Sequence, residues 1–279
     1  MVPQRQYLGS PTHPDADVDY TFAQVSGDSP VVDHGLNCGN MASAVAPVAL
    51  QMGLLPRPDD GPLTVRIHAT NTGQLIAAEL QVASGRAVTS GDFALDGVAG
   101  TGSPLRLAFL SPGGAMTGRL LPTGNPADML EVDGLGEVEV SLVDAANPVV
   151  FVAAESLASA GLALTGAESP DELEAIDGVE PALERIRLAA AAAVPGTLPH
   201  RMRHAAGEAE GGGEQAVVGT PGGGGQTADG TVLRIGQPSG VTPVTAEVEQ
   251  REDGTWHARE ASLFRTARIL MRGEVCVRA

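Results

Sequence analysis

A chain of 279 residues is long for one domain and comfortable for two, with enough mass to bury one or two real cores. Its formal net charge of −17 and aromatic content of only 3% argue against nucleic acid or an anionic membrane surface as a partner, since those need clustered positive charge or stacking platforms. All 17 basic residues are arginines, which excludes Schiff-base chemistry and a lysine general base from this chain and leaves Arg66, Arg119, Arg265 and Arg268 as candidate carboxylate clamps.

In chain order, Asp17 to Val25 alternates as a strand does, and Ser26 to Pro30 is rich in turn residues. Asn37-Cys38-Gly39-Asn40 then leads into a predicted helix from Met41 to Leu55 that is apolar on more than one side, the mark of a helix wrapped by sheet. Leu63 to Thr70 and Gln74 to Val82 read as two strands joined at Asn71-Thr72-Gly73, a hairpin signal. Further strands are expected at Leu105 to Leu110, Glu137 to Val143 and Val149 to Ala153, between turns rich in Gly and Pro. The pattern changes at Ser169 to Ala193, where Ser169-Pro170-Asp171-Glu172 starts a helix and Pro195-Gly196 stops it. Residues 204–230 are dominated by glycine and are expected to form a flexible loop. A hairpin follows across Gln237-Pro238-Ser239-Gly240, and the close is Trp256 to Leu263, Arg265 to Met271 and a strand at Glu274 to Val277.

The thiol of Cys38 stands where a helix is predicted to begin. Unpaired backbone N–H groups and the positive end of the macrodipole there stabilise a thiolate and attract a carboxylate. Gly39 permits close approach to the backbone, and Asn37 and Asn40 add short polar arms. The alternative is a small buried cysteine in a tight turn. The only other cysteine, Cys276, is remote in sequence, so neither a disulfide framework nor a closely spaced zinc site is expected. No signal-peptide core and no apolar run of spanning length occurs, and a cytoplasmic protein is the expectation.

Eight segments, in order, carry a resemblance. They are VDYTFAQV (Val18 to Val25), NCGNMASAV (Asn37 to Val45), VRIHATNTG (Val65 to Gly73), GVAGTGSP (Gly97 to Pro104), SPGGAMTGRLLPTGN (Ser111 to Asn125), VSLVDAANPVVFV (Val140 to Val152), IGQPSGV (Ile235 to Val241) and RTARILMRGEVCV (Arg265 to Val277). The chain thereby resembles the PrpF-like family of 2-methylaconitate cis-trans isomerases and 4-oxalomesaconate tautomerases, which share the diaminopimelate epimerase fold. That resemblance implies an α+β architecture of two half-domains, each a curled mixed sheet around a central helix with the site in the cleft between them. Here they are expected at 1–143, lacking its N-terminal strands, and 144–279. Relatives also carry an upstream segment with a Ser-Lys pair and a further internal stretch, so the chain reads as a shortened member, whose exposed sheet edges invite homodimerisation.

The resemblance implies a 1,3-proton shift on a small unsaturated di- or tricarboxylate, without metal or organic cofactor. It places Cys38 as a catalytic acid/base and Asn37, Gly39, Asn40, Asn71, Thr72, Asn147 and Ser239 as substrate contacts. Ordinary turn chemistry is the competing explanation of those polar residues. A second acid/base is not evident; His34 can be drafted, and His68 reads as packed or exposed on a strand face. Two other readings follow: a catalytically impaired member that binds carboxylates or has no activity, and, more weakly, a cysteine hydrolase with His34 as base.

Overall fold

The structure is a computed structural model and describes residues 4–26, 30–35, 37–164, 168, 170–194, 216–219, 232–237, 240–271 and 273. Alternating side chains build its first layer. Strand β1 (Gln4–Gly9) pairs antiparallel with β2 (Val18–Val25), and the two-residue β3 (Val32–Asp33) pairs with the end of β2. Val18, Tyr20 and Phe22 of β2 all point to one face and are buried there. The buried face receives α1 (Gly39–Ala42) and α2 (Val45–Met52), whose Ala42, Val45, Ala46, Ala49 and Leu50 complete the core with Val65 and Ile67.

The single predicted helix from Met41 to Leu55 is therefore two short ones, broken at Ser43-Ala44. Pro47 accounts for the break: it has no N–H to continue the ladder and is tolerated only in the first turn of α2. The helix ends at Gly53, which adopts φ 72° and closes it with a left-handed cap. Met52 lies on the exposed side, so this helix, though apolar on more than one side, is not wrapped all round.

Strands β4 (Gly61–Ala69) and β5 (Gln74–Ala83) form the predicted hairpin, and β4 also runs parallel to β2. The short β6 (Arg86–Ala87) extends β5, while β7 (Phe93–Ala94) and β8 (Thr101–Gly102) form a separate hairpin. β9 (Leu105–Leu110) then lies on the far edge of β5.

The second layer comprises β10 (Asp128–Val132), β11 (Gly136–Ala145) and β12 (Asn147–Ala153), followed by a 3-10 helix (Ala154–Ala160), α3 (Pro170–Ala175) and α4 (Val179–Ala193). The helix predicted from Ser169 to Ala193 is interrupted at Gly178, whose φ of 91° no continuous helix allows. Ile186, Ala182, Ala190 and Ala191 of α4 pack on Leu130, Val138, Val140 and Val152 of the sheet; the alanines let helix and sheet approach closely. β13 (Ala216–Gly219) adds to β12 in parallel. It falls inside the span expected to be a glycine-rich loop, whose other residues lie outside the described ones.

β14 (Val232–Gln237), β15 (Gly240–Gln250) and β16 (Trp256–Arg265) do not join this second sheet. β16 pairs with β9, giving a ten-stranded first sheet with the path β1-β2-β4-β5-β9-β16-β15-β14. The sheets thus divide the chain differently from the halves 1–143 and 144–279, because 232–265 returns to the first layer. The expected α+β class is observed, with one helical unit against each large sheet. The strand expected at Glu274 to Val277 and Cys276 lie outside the described residues.

On the sheet face opposite α2, a buried carboxylate anchors the loop between β1 and β2. Asp19 accepts from the Thr12 N–H at 3.1 Å and the Thr12 hydroxyl at 2.7 Å, and His68 Nδ1 lies 2.9 Å away. The His13 ring packs on His68 with centroids 5.4 Å apart. Burial by itself raises the Asp19 pKa, but the Thr12 bonds and His68 together outweigh it and hold the carboxyl below its ordinary value. A depressed carboxylate contributes stability above its unfolded value of about 3.9 and loses it as pH falls through the folded value. Asp19→Asn is therefore expected to be less stable than the parent at neutral pH, with the difference closing below about pH 4, as urea denaturation across pH 3–7 would measure.

Candidate active site

Two loops and two strand ends meet where the first sheet faces the second. Cys38 is the N-cap of α1 with φ −119° and ψ 107°; its carbonyl accepts from the Ala42 N–H at 2.9 Å and from the Tyr20 hydroxyl at 3.4 Å. The thiol is free and half-buried. Because α1 is a single turn, the helix-dipole reasoning that made the position attractive in the sequence carries little weight. A guanidinium supplies the positive charge instead. Arg265, the last residue of β16, donates from Nε to Asn40 Oδ1 at 3.1 Å and from Nη1 to the Phe264 carbonyl at 3.0 Å.

The electrostatics link these groups. Burial pushes the Tyr20 hydroxyl well above its ordinary range, and the negative charge of Cys38 adds to the shift, so Tyr20 stays protonated and serves as a donor. Burial lowers the Arg265 pKa while the Cys38 charge opposes that shift; an arginine nonetheless remains charged. Phe109 closes one side, its ring 3.5 Å from where a Cβ on Gly39 would stand.

Asn37 is the most unusual residue of the site. Its backbone is clasped by the Asn147 side chain, which accepts from the Asn37 N–H at 3.4 Å and donates to the Asn37 carbonyl at 3.2 Å. Its own side chain is buried at 6% exposure, and neither Oδ1 nor Nδ2 has a partner. A buried amide left unpaired costs about 1–3 kcal/mol per group, which a polar ligand at this position would recover.

Hydrogen bonds close the loops into a ring. The Pro112 carbonyl accepts from Ala146 N–H and from Gln74 Nε2, both at 2.8 Å, and Ala146 holds φ 68°, a left-handed conformation next to Asn147. Asn71 Nδ2 donates to the carbonyls of Phe22 at 2.8 Å and His34 at 2.7 Å, and Asn71 Oδ1 accepts from the Phe22 N–H at 2.7 Å. Thr72 Oγ1 and Gln74 Oε1, on the same turn, are buried without a partner. Behind the ring, the fully buried Asp144 accepts from Met116 N–H, Thr117 N–H and the Thr117 hydroxyl at 2.6–2.9 Å and so fixes the loop after β9.

Of the residues expected from sequence, the structure places Asn37, Cys38, Gly39, Asn40 and Asn147 in contact or adjacent, with Asn71 and Thr72 on the neighbouring turn. The Asn71 side chain is committed to backbone groups. Ser239 lies outside the described residues. His34 is exposed, with Nδ1 3.0 Å from the Phe22 carbonyl, and His68 is engaged on the opposite sheet face. Arg66, Arg119 and Arg268 are exposed, leaving Arg265 as the arginine at the thiol. Sequence reasoning missed Tyr20, Phe109, Gln74 and Asp144; Tyr20 was signalled by its place in the buried alternation Val18-Tyr20-Phe22.

A cleft of about 270 Å³ lies beyond the other end of α1, lined among others by Ser43, Thr89, Phe93, Thr266 and Arg268. None of Asn37 to Asn40 lines it, and its polar groups are hydroxyls and one exposed guanidinium. The unpartnered Asn37 amide and the Cys38 thiol therefore lie outside this cleft. Among the described residues no group of three or more His, Cys, Asp or Glu is placed to hold a metal ion, and no helix is long and apolar enough to cross a membrane.

Proteins already described share this chain's sequence and fold. The family model for PrpF protein matches residues 7–210, and the chain belongs to the PrpF family. It is 33% identical to the 2-methyl-aconitate isomerase of Cupriavidus necator, in an alignment covering 97% of this chain and 80% of that protein. It is 42% identical to the 3-methylitaconate isomerase of Eubacterium barkeri over 64% of this chain, a match that spans only 46% of the relative's length. The crystal structure of methylitaconate-delta-isomerase superposes with a TM-score of 0.74 at 33% identity, covering 98% of this chain and 80% of that one.

The clasp on Asn37 has a measurable consequence. Asn147→Ala leaves the Asn37 N–H and C=O unpaired and is expected to cost about 1–3 kcal/mol in chemical denaturation. Asn147→Asp keeps an acceptor for the N–H and is expected to cost less.

Proposed function

We propose that this chain catalyses a 1,3-proton shift in a small unsaturated di- or tricarboxylate of the 2-methylaconitate, methylitaconate or 4-oxalomesaconate type. The single observation that carries the reading is the Asn37 side chain, nine-tenths buried and unpartnered beside the free Cys38 thiol. An isomerisation of this kind needs a group to take a proton from a carbon activated by a conjugated carboxylate, and donors for the charge that then spreads onto the carboxylate oxygens. Cys38 as thiolate removes the proton, and the electron pair moves through the allylic system into the carboxylate. The thiol so formed returns a proton at the far carbon, the double bond shifts by one position, and atoms and charge balance.

Asn37 Nδ2 donates to the developing enolate, and the Asn40 amide, whose oxygen faces Arg265, is left with its N–H groups for a carboxylate. Gly39 lets the substrate approach the backbone, although Phe109 limits the room on one side. Thr72 and Asn147 line the ring, Thr72 through a hydroxyl without a protein partner and Asn147 through its hold on Asn37. Tyr20 is excluded as the base because its proton is held.

A second reading, a carboxylate-binding protein without turnover, is favoured by one observation: the sequence contains no lysine, the residue that the resemblance implies as partner to the thiol. Turnover separates the two. Conversion of candidate acids is followed by NMR of the vinylic and methyl signals, with Cys38→Ser expected to lower kcat by about 10²–10⁴-fold. No conversion by the parent protein, with retained ligand binding, would favour the second reading.

A further inference from the structure

We propose that Arg265 is the carboxylate-holding cation of the Cys38 site, taking one carboxylate of the substrate end-on through its Nη1 and Nη2 groups. This rests on the proposed function and names the residue that recognises its substrate class. Arg265 differs from other arginines packed against this protein's surface. Arg106 is paired with Glu79 at 2.6 Å and with Glu260, Arg187 with Glu184 at 2.7 Å, and Arg259 with Glu249. Arg265 has no carboxylate partner among the described residues, and its two hydrogen bonds go to neutral oxygens.

Such an arrangement is unexpected in a chain of net charge −17, where carboxylates outnumber cations. Among the described residues the half-buried guanidinium meets an amide oxygen and a carbonyl but no carboxylate. The two bonds hold the group from its Nε side and from one Nη1 hydrogen, which leaves three of the five N–H donors uncommitted. Those donors form a planar edge suited to a carboxylate. The acidity of the chain adds a further requirement: a di- or tricarboxylate is repelled by the overall field, so a local cation must offset that repulsion. No lysine can do so.

Seating by Asn40 places this cation on the residue two positions from the thiol. The unpartnered Asn37 amide on the other side of Cys38 is the second polar contact. A substrate held by one carboxylate on Arg265 and by another on Asn37 would span the thiol.

The test measures protection of Cys38 from iodoacetamide by tricarballylate, a saturated tricarboxylate that cannot isomerise, with peptide mass spectrometry reading Cys38 alone. In the parent protein tricarballylate is expected to protect. In Arg265→Gln the concentration for half protection is expected to rise at least tenfold, with Arg265→Lys intermediate. Thermal melts of both variants check the fold. Undiminished protection in a folded Arg265→Gln protein would overturn the assignment, as would absence of protection in the parent. Protection lost in Arg265→Gln without turnover by the parent would keep the anion site and sink the isomerase reading.

Discussion

The reciprocal pair of hydrogen bonds between Asn147 and the backbone of Asn37 is the constraint on which the site depends. Asn147 begins a strand of the four-stranded sheet, and Asn37 belongs to the loop that carries the thiol in the ten-stranded one. One side chain therefore sets where Cys38 stands relative to the second layer. Its own sheet also fastens the Cys38 loop, through Tyr20, through Asn71 at the His34 carbonyl and through Arg265.

Around this contact the protein spends polar groups in two ways. Asn71 and Asp19, and Asp144 through its Oδ2, are fasteners: each binds backbone or neighbouring side chains and holds a loop in place. Asn37, Thr72 and Gln74 are buried with polar atoms left over. Buried polar atoms are ordinarily paired, and although Gln6 Oε1 on β1 is a further exception, those of Asn37, Thr72 and Gln74 gather on loops joined by a single hydrogen-bonded ring, where the proposed function seats its polar ligand. The same division separates the arginines: Arg106, Arg187 and Arg259 are ion-paired, while the half-buried Arg265 has no carboxylate partner among the described residues.

Much of this was legible in the sequence, for identifiable reasons. Alternation revealed β2, β4, β5 and β9 because each buries one face, and Asn71-Thr72-Gly73 revealed the hairpin because its turn chemistry is local. The motif around Cys38 was visible as a motif. Illegible features depended on contacts distant in sequence. β1 buries little and exists by pairing with β2; β16 returns across the whole second layer to join β9, which no local pattern signals. Helix length was overestimated because apolar content was read through Pro47 and Gly178, where the backbone interrupts the ladder. The helix start at Cys38 proves to be a single turn that offers little dipole, and the cation that reaches this loop is Arg265, 225 residues from Asn40.

Incubation with the unsaturated acid in D2O tests most directly whether this thiol moves a carbon-bound proton. The half-buried thiol formed by proton removal exchanges its hydrogen with solvent before returning it, so deuterium is expected to enter the allylic positions in the presence of the parent protein and to fall to the buffer rate with Cys38→Ser. Equal deuteration by the two proteins, or none by the parent, would contradict proton transfer at Cys38.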